Sequence, residues 1–469
     1  MEQDAGRHAR ETRVKIGQTV EMATSPCLAP INSRIAIVVP YSHLDTIPFV
    51  CDLSEHLAAR GYFVDIFGNE EAGSMPPEFS SDRIRLHLIP GFLGQQRSAS
   101  GAPSGCRARI VAKTSGARAL PGSPRARRAA SRMRTAVGAL DLTRQVRWRH
   151  IARVPYGLVI GVDAEGLVAA ASLSKVAHAA LAYYSLELLP TWDLSSFGER
   201  TLKWREAPLS RSAALVIVQD PSRARILAAD NGIDPRRFVY APNAPGGAAR
   251  RAPSRWWHDR FDLPDDCRVL LHAGSVGTWT GIDGLVEAAR DLPDDWVLVV
   301  HSNHRRGDAA RIEWLRTHAP AGKVFFSDSA VRRQHYRALL DGADAGVAFY
   351  IPGRGRSTMT NITSLGLSSG KFSYYLWCGL PVIVNSATSL GELVEREHVG
   401  IRIDSAAALG GAVRSVATDY QRFSDRAIQY FNAELDFTAS AESICMAVDQ
   451  LTRERNMRSP LQIGEGRGC

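Results

Sequence analysis

The sequence predicts an α/β protein made of two doubly wound domains that face a central cleft. Apolar runs of strand length alternate with helical patterns along most of the chain. The alternation halts at the Pro/Gly-rich stretch Pro242-Asn-Ala-Pro-Gly-Gly-Ala-Ala249 and then starts again. A chain of 469 residues also exceeds one hydrophobic core and suits two domains of roughly 200 residues.

The first 33 residues carry no periodic pattern and are expected to be a disordered tail. Within 34–241, Arg34–Val39, Tyr62–Phe67, Ile84–Ile89, Leu158–Val162, Ala180–Ser185 and Leu215–Val218 are the expected strands. Helical segments such as Phe49–Arg60 and Pro221–Asp230 separate them, so they are expected to run parallel. Residues 242–254 form a linker. Within 255–458, Val269–Ala273, Val297–His301, Val324–Phe326, Ala345–Tyr350, Val382–Val384 and Ile401–Ile403 alternate with helices over Gly281–Arg290, Asp308–His318, Val331–Leu340 and Gly391–Glu397. Ser389-x-x-Glu392 is a capping box, which makes Glu392 a helix-start residue first. Residues 459–469 form a second tail. Each half is thus a Rossmann-like unit, and ligands of such sheets bind beyond the carboxyl ends of the strands.

Composition narrows the class. With 45% hydrophobic and 22% charged residues the chain is an ordinary globular protein. Its seven cysteines are scattered, and none forms a Cys-x-x-Cys pair, which argues against a disulfide framework and a zinc site. No run approaches the ~18 apolar residues of a membrane span, and the first 30 residues lack a continuous apolar segment. A reducing, cytoplasmic setting is expected. The net charge of +9 is concentrated: 92–153 holds fourteen Lys/Arg against the single acid Asp141, and the rest of the chain is slightly acidic. This basic insertion has three readings: a solvated loop, a face for anionic membrane, or a nucleic-acid surface. The last is disfavoured, because no recognition helix, zinc finger or RNA-binding aromatic pair accompanies the charge.

The most informative segment is Gly366-Leu-Ser-Ser-Gly370-Lys371-Phe372, which leads through an aromatic helix turn to Cys378-Gly379-Leu-Pro-Val-Ile-Val-Asn385. A hydroxyl-rich loop opens a helix beside a strand. Backbone N–H groups, the helix dipole, Ser368, Ser369 and the Lys371 ammonium would converge there on a phosphate-sized charge. A nucleotide-triphosphate loop is excluded, since the spacing is one residue short and Phe372 stands where a hydroxyl must bind magnesium. A second glycine-rich turn, His272-Ala-Gly274-Ser275-Val-Gly277-Thr-Trp-Thr-Gly281-Ile-Asp283, follows a strand and opens a helix.

These two segments resemble the donor-site blocks of the family-4-like (group 1) glycosyltransferases of GT-B fold. The family writes them as Ser-Pro-x-Lys-hydrophobic-x-Glu-Tyr-x-x-x-Gly-x-Pro-Val-Ile and Gly-Arg-x-x-x-x-Lys-Gly-hydrophobic-Asp. The resemblance implies a nucleoside diphosphate sugar bound by Gly274, Ser275, Gly277, Ser368, Ser369, Gly370, Lys371 and Tyr374, with no metal and no further cofactor. It also shows departures. The family's phosphate-binding Arg and Lys fall on Ser275 and Thr280, and its two glutamates on Gly366 and Tyr374. Tyr375 and Trp377 are expected in the core, and Asn361 and Thr363 in the loop lining the nucleotide-sugar pocket.

In the first domain, Asp163 ends an apolar strand and is the candidate to orient or deprotonate an acceptor hydroxyl; equally, it suits a helix N-cap. Glu187, after the next strand, is either a loop anchor or an acceptor ligand. His43 lies in the turn after the first strand, on the cleft side. Asn243 matches a Pro-Asn of the family linker and is expected to cap a turn. Together these imply a glycosyltransferase acting on a glycan or lipid-linked hydroxyl in cell-surface polysaccharide or glycolipid synthesis, cytoplasmic and peripheral to the membrane. A nucleotide-sugar 2-epimerase of the same fold, or a non-catalytic membrane- or nucleic-acid-binding relative, is the alternative.

Overall fold

The computed structural model describes residues 34–41, 44, 47–70, 76–90, 154–303, 309–353 and 359–458. The expected tails 1–33 and 459–469, His43 and the basic insertion 92–153 lie outside the described residues.

The first domain runs β1 (Arg34–Val38), α1 (Pro48–Ala59), β2 (Phe63–Glu70), β3 (Ile84–Pro90), β4 (Tyr156–Val162), α2 (Asp163–Ala177), β5 (Ala180–Tyr184), α3 (Phe197–Ser212), β6 (Leu215–Val218), α4 (Pro221–Asn231) and β7 (Phe238–Tyr240). The second runs α5 (Trp256–Phe261), β8 (Arg268–Ala273), α6 (Ile282–Ala288), β9 (Trp296–His301), α7 (Ala309–His318), β10 (Val324–Ser327), α8 (Arg333–Asp341), β11 (Ala345–Ala348), α9 (Met359–Thr363), α10 (Gly370–Trp377), β12 (Val382–Asn385), α11 (Ser389–Glu397) and β13 (Gly400–Ile403). Three helices close the chain: α12 (Leu409–Thr418), α13 (Tyr420–Tyr430) and α14 (Phe437–Arg458).

Both sheets are parallel, with strand orders β3-β2-β1-β4-β5-β6-β7 and β10-β9-β8-β11-β12-β13. Strand order reverses between β1 and β4 in one sheet and between β8 and β11 in the other, which is where doubly wound sheets open a crevice. The buried strands are near-continuous apolar runs because helices cover both faces. β7 escaped the sequence reading: a three-residue edge strand leaves no periodic signal.

Two local expectations need correction. α11 is capped by Thr388, whose side chain accepts from the Leu390 amide, so Ser389-x-x-Glu392 is not the capping box; the Ser389 hydroxyl instead accepts from the Gly366 amide at 3.1 Å. A true box opens α3, where Ser196 and Glu199 bond each other's backbones. The stretch 255–458, assigned to the second domain, also holds a helix that packs on the first. Phe437, Ala441, Ile444, Cys445 and Val448 of α14 are buried in the core formed by β1, β2, β4 and α1. Arg60 pairs with Asp449 at 2.5 Å and Tyr62 donates to the same carboxylate at 2.6 Å, fastening α14 there.

Candidate functional site

A cleft of about 470 Å³ lies at the β8/β11 reversal, walled on one side by Phe49, Asp52 and His56 of α1. The loop after β8 and the start of α10 form its floor. Lys371, the second residue of α10, places its Nζ there, buried and without a hydrogen-bond partner among the described residues. The ammonium faces two rings, 5.1 Å from the Tyr350 centroid and 5.7 Å from that of Trp279. Loss of water pulls its pKa down to about 7. A buried cation without a counter-ion is costly, and an anion entering the cleft would relieve that cost.

Gly274 adjoins this lysine, and its backbone conformation, not a lack of space, calls for glycine. Its φ of +131° is a conformation other residues avoid, and an added Cβ would lie 3.5 Å from the Lys371 Cδ. Ser275, Gly370 and Tyr374 line the same cleft. The remaining sequence-named groups serve the frame. The Gly274 amide donates to the His301 carbonyl at 2.9 Å, and the Gly277 amide to the Ser275 hydroxyl at 3.3 Å. Ser368 donates to the Leu365 carbonyl at 2.5 Å, while Ser369 caps α10 and shares a 2.7 Å bond with the Tyr350 hydroxyl. The expected convergence of these two hydroxyls on a phosphate is therefore replaced by turn and cap bonds. Tyr375 is core, as expected: its hydroxyl donates to the Leu271 carbonyl and accepts from the Ala273 amide, tying α10 to the end of β8.

Asn243 joins the linker to this region, its side chain donating to the Ser368 carbonyl at 2.9 Å. Asn361 does not line the cleft but bolts the domains together: its Oδ1 accepts from the Leu188 amide at 2.9 Å and from Arg223 at 2.8 Å.

Asp163 and Glu187 meet each other rather than Lys371. Asp163 has a φ of +53° at the start of α2, and its Oδ1 accepts from the Leu186 and Glu187 amides at 2.7 and 2.8 Å. It is thus a loop anchor across β4 and β5, while α2 has no side-chain cap bond at its N-cap, Val162. Tyr41 donates to the other Asp163 oxygen. Burial first, and then the nearby Glu187 charge, push the Asp163 carboxyl up to about 8. Glu187 is exposed overall, while partial loss of hydration around its carboxyl raises it too, against the opposing charge of Arg223. The Asn361 side-chain amide donates to Glu187 at 3.2 Å.

The cations that the two glycine-rich blocks lack come from elsewhere. Thr280 is buried with its hydroxyl on the Gly277 carbonyl, yet α8 delivers Arg333 and Arg337 to the cleft wall. Arg337 stacks 3.9 Å over the Trp377 ring, and Arg333 pairs with Asp52 of α1 across the cleft. His301 and His272 were also missed. His301 lines the cleft, held by Ser327 and Asn303 at 3.0 Å each, with burial lowering its pKa to about 4. His272 lies beneath the floor, kept neutral by burial and the Lys371 charge. No spacing signal marks any of these four, because their convergence depends on strand order.

Solved structures match the chain over about nine-tenths of its length. A sucrose-phosphate synthase from Thermosynechococcus elongatus aligns with a TM-score of 0.61 at 17% identity, over 91% of this chain and 100% of that one. HepE of Anabaena, in complex with UDP and glucose, gives 0.59 at 13% identity, over 89% and 100%. WaaG, a glycosyltransferase involved in lipopolysaccharide biosynthesis, gives 0.52 at 14% identity, over 88% and 99%. The fold is GT-B. Within this GT-B chain, residues 365–438 match the family model "Glucosyltransferase 3-like, C-terminal domain", a span that contains Lys371 and Tyr374. No curated protein sequence matches the chain.

Proposed function

We propose that this GT-B protein transfers a sugar from a nucleoside diphosphate sugar to a hydroxyl of a glycan or lipid-linked acceptor, in cell-surface polysaccharide or glycolipid synthesis. The observation that carries the reading is the Lys371 ammonium, without a partner among the described residues, at the N-terminus of α10 inside the cleft at the β8/β11 reversal. UDP and UDP-glucose in the HepE structures support a nucleotide-sugar donor. In this reading Lys371 and the α10 N-terminus hold the diphosphate, and Arg333 turns from Asp52 toward it as negative charge builds on the leaving group. The mechanism is mostly positioning and electrostatic stabilisation, and it uses no metal or further cofactor. The acceptor approaches from the first domain, where Asp163, Glu187 and His43 are the candidates to orient or deprotonate its hydroxyl.

The protein acts at the cytoplasmic side in this reading, and the +13 charge of 92–153 supports peripheral docking on anionic membrane. Among the described residues no helix is long and apolar enough to cross a membrane.

A thermal-shift screen against UDP, GDP, ADP and CMP, followed by donor hydrolysis with the sugar form of whichever binds, tests the proposal. A nucleoside diphosphate at one hundred times its Kd stabilises by about 2.7 kcal/mol. Slow release of sugar and nucleoside diphosphate is the expected result. No shift with any of the four, or release of an epimerised sugar without acceptor, would overturn it.

A further inference from the structure

Away from the cleft, α3 presents a solvent face unlike that of an ordinary surface helix. Phe197, Arg200, Trp204, Pro208 and Arg211 follow one another at three- and four-residue steps and so form one stripe. All five are exposed, Phe197 by 83% and Trp204 by 78%. Trp192, just before the helix, is 61% exposed. Beside the stripe, an open groove of about 830 Å³ runs between α2 and α3, with Val168, Ala171 and Leu209 on its apolar floor. Among the described residues its cations are Lys175, Arg200, Lys203, Arg205 and Arg211, and no acid lines it. Only Lys203 turns inward, to Glu206 at 3.0 Å and to Asp230. The neighbouring acids are engaged: Glu199 completes the capping box, and Asp193 accepts from the Thr360 amide at 2.6 Å.

We propose that this face seats on an anionic lipid bilayer. Phe197 and Trp204 would enter the boundary between headgroups and acyl chains, while Arg200, Arg205, Arg211 and Lys175 reach lipid phosphates. The charge singles out this occupant. A second copy meeting the face by a twofold axis would oppose cation to cation, whereas protruding aromatic rings among cations match the apolar boundary and phosphate layer of a bilayer. The groove shares no lining residue with the donor cleft and no sequence with 92–153, and the proposal does not depend on the transfer reaction.

Flotation of the full chain with vesicles tests this, comparing phosphatidylglycerol-containing with purely phosphatidylcholine vesicles at low and high salt. Wild type is expected to float with the anionic vesicles at low salt and to be released by salt. R200Q/R205Q/R211Q should weaken binding about a hundredfold, since each cation near a charged membrane contributes about fivefold. F197A/W204A should weaken it as well, with its charge intact. Arg205 is half-buried and the other changed side chains are exposed, and an unaltered nucleoside diphosphate thermal shift shows that both variants fold and that the donor site is intact. Failure of wild type to float, or wild-type flotation by both variants, would overturn the proposal. So would salt-independent binding to neutral vesicles, a vesicle-free dimer lost in F197A/W204A, or RNA binding at physiological salt lost in R200Q/R205Q/R211Q.

Discussion

Lys371 is a cation held ready for an anion, and its lowered pKa of about 7 makes the consequence measurable. Below that pH the free protein already carries the charge; above it a proton must be taken up before a diphosphate can pair. Affinity for the nucleoside diphosphate is therefore expected to fall by up to tenfold per pH unit from pH 7 to 9, measured by calorimetry. Lys371→Ala should flatten that profile and weaken binding roughly ten- to hundredfold, as for loss of a charge-assisted contact of ~1.5–3 kcal/mol. Asp163 works in the opposite sense. Its folded pKa of about 8 lies above the unfolded value, so the stability it contributes is full below about pH 4 and lost as pH rises through 8. Asp163→Asn keeps an oxygen for the Leu186 and Glu187 amides and suits a positive φ. Its melting temperature should match or exceed that of wild type at pH 8, and the loss of stability between pH 4 and 8 should shrink. Turnover of the same variant decides whether the carboxylate also does chemistry.

Among the elements, α10 matters through its fit against β11. Gly346 in β11 lies under the Tyr375 ring, and an added Cβ would come within 2.2 Å of it. Gly346→Ala must displace that ring, and with it the hydroxyl that bridges Leu271 and Ala273 at the end of β8. Overpacking of this kind costs typically 1–3 kcal/mol, which urea denaturation would read. Because the Ala273–Gly274 turn moves with Tyr375, donor affinity should drop in the same variant. The Gly366–Asn385 segment was legible to this extent: a small loop, a helix and a strand were all evident in the order of residues. Which hydroxyls faced the ligand was not legible, since Ser368 and Ser369 spend theirs on Leu365, Tyr350 and the helix cap.

For the whole molecule, the two domains share more than a linker. α14 leaves the second domain and buries Phe437 in the first core, while Asn361 and Arg223 lock the opposite side. Phe437→Ala is expected to destabilise the first domain by about 3–5 kcal/mol, seen as an earlier urea transition of fluorescence. An unchanged transition would place α14 outside that core's cooperative unit. Across the cleft, Asp52–Arg333 and Glu78–Arg332 pair α8 with the first domain, so charge on a ligand competes directly with charge on α1.

The sequence by itself determined the two parallel α/β halves, because a period of strand and helix is written locally in apolar spacing and survives whatever surrounds it. It also determined that Lys371 opens a helix after a hydroxyl-rich loop, since turn, cap and helix are near neighbours along the chain. Tertiary structure alone decided which charges meet. Arg333 stands 38 residues before Lys371 and reaches the same cleft only because β8 pairs with β11 and α8 precedes that strand. The same holds for Asp163 as an anchor of Leu186 and Glu187, and for α14 on a core that begins 400 residues earlier. Such partners are set by strand order and packing, which no local pattern records.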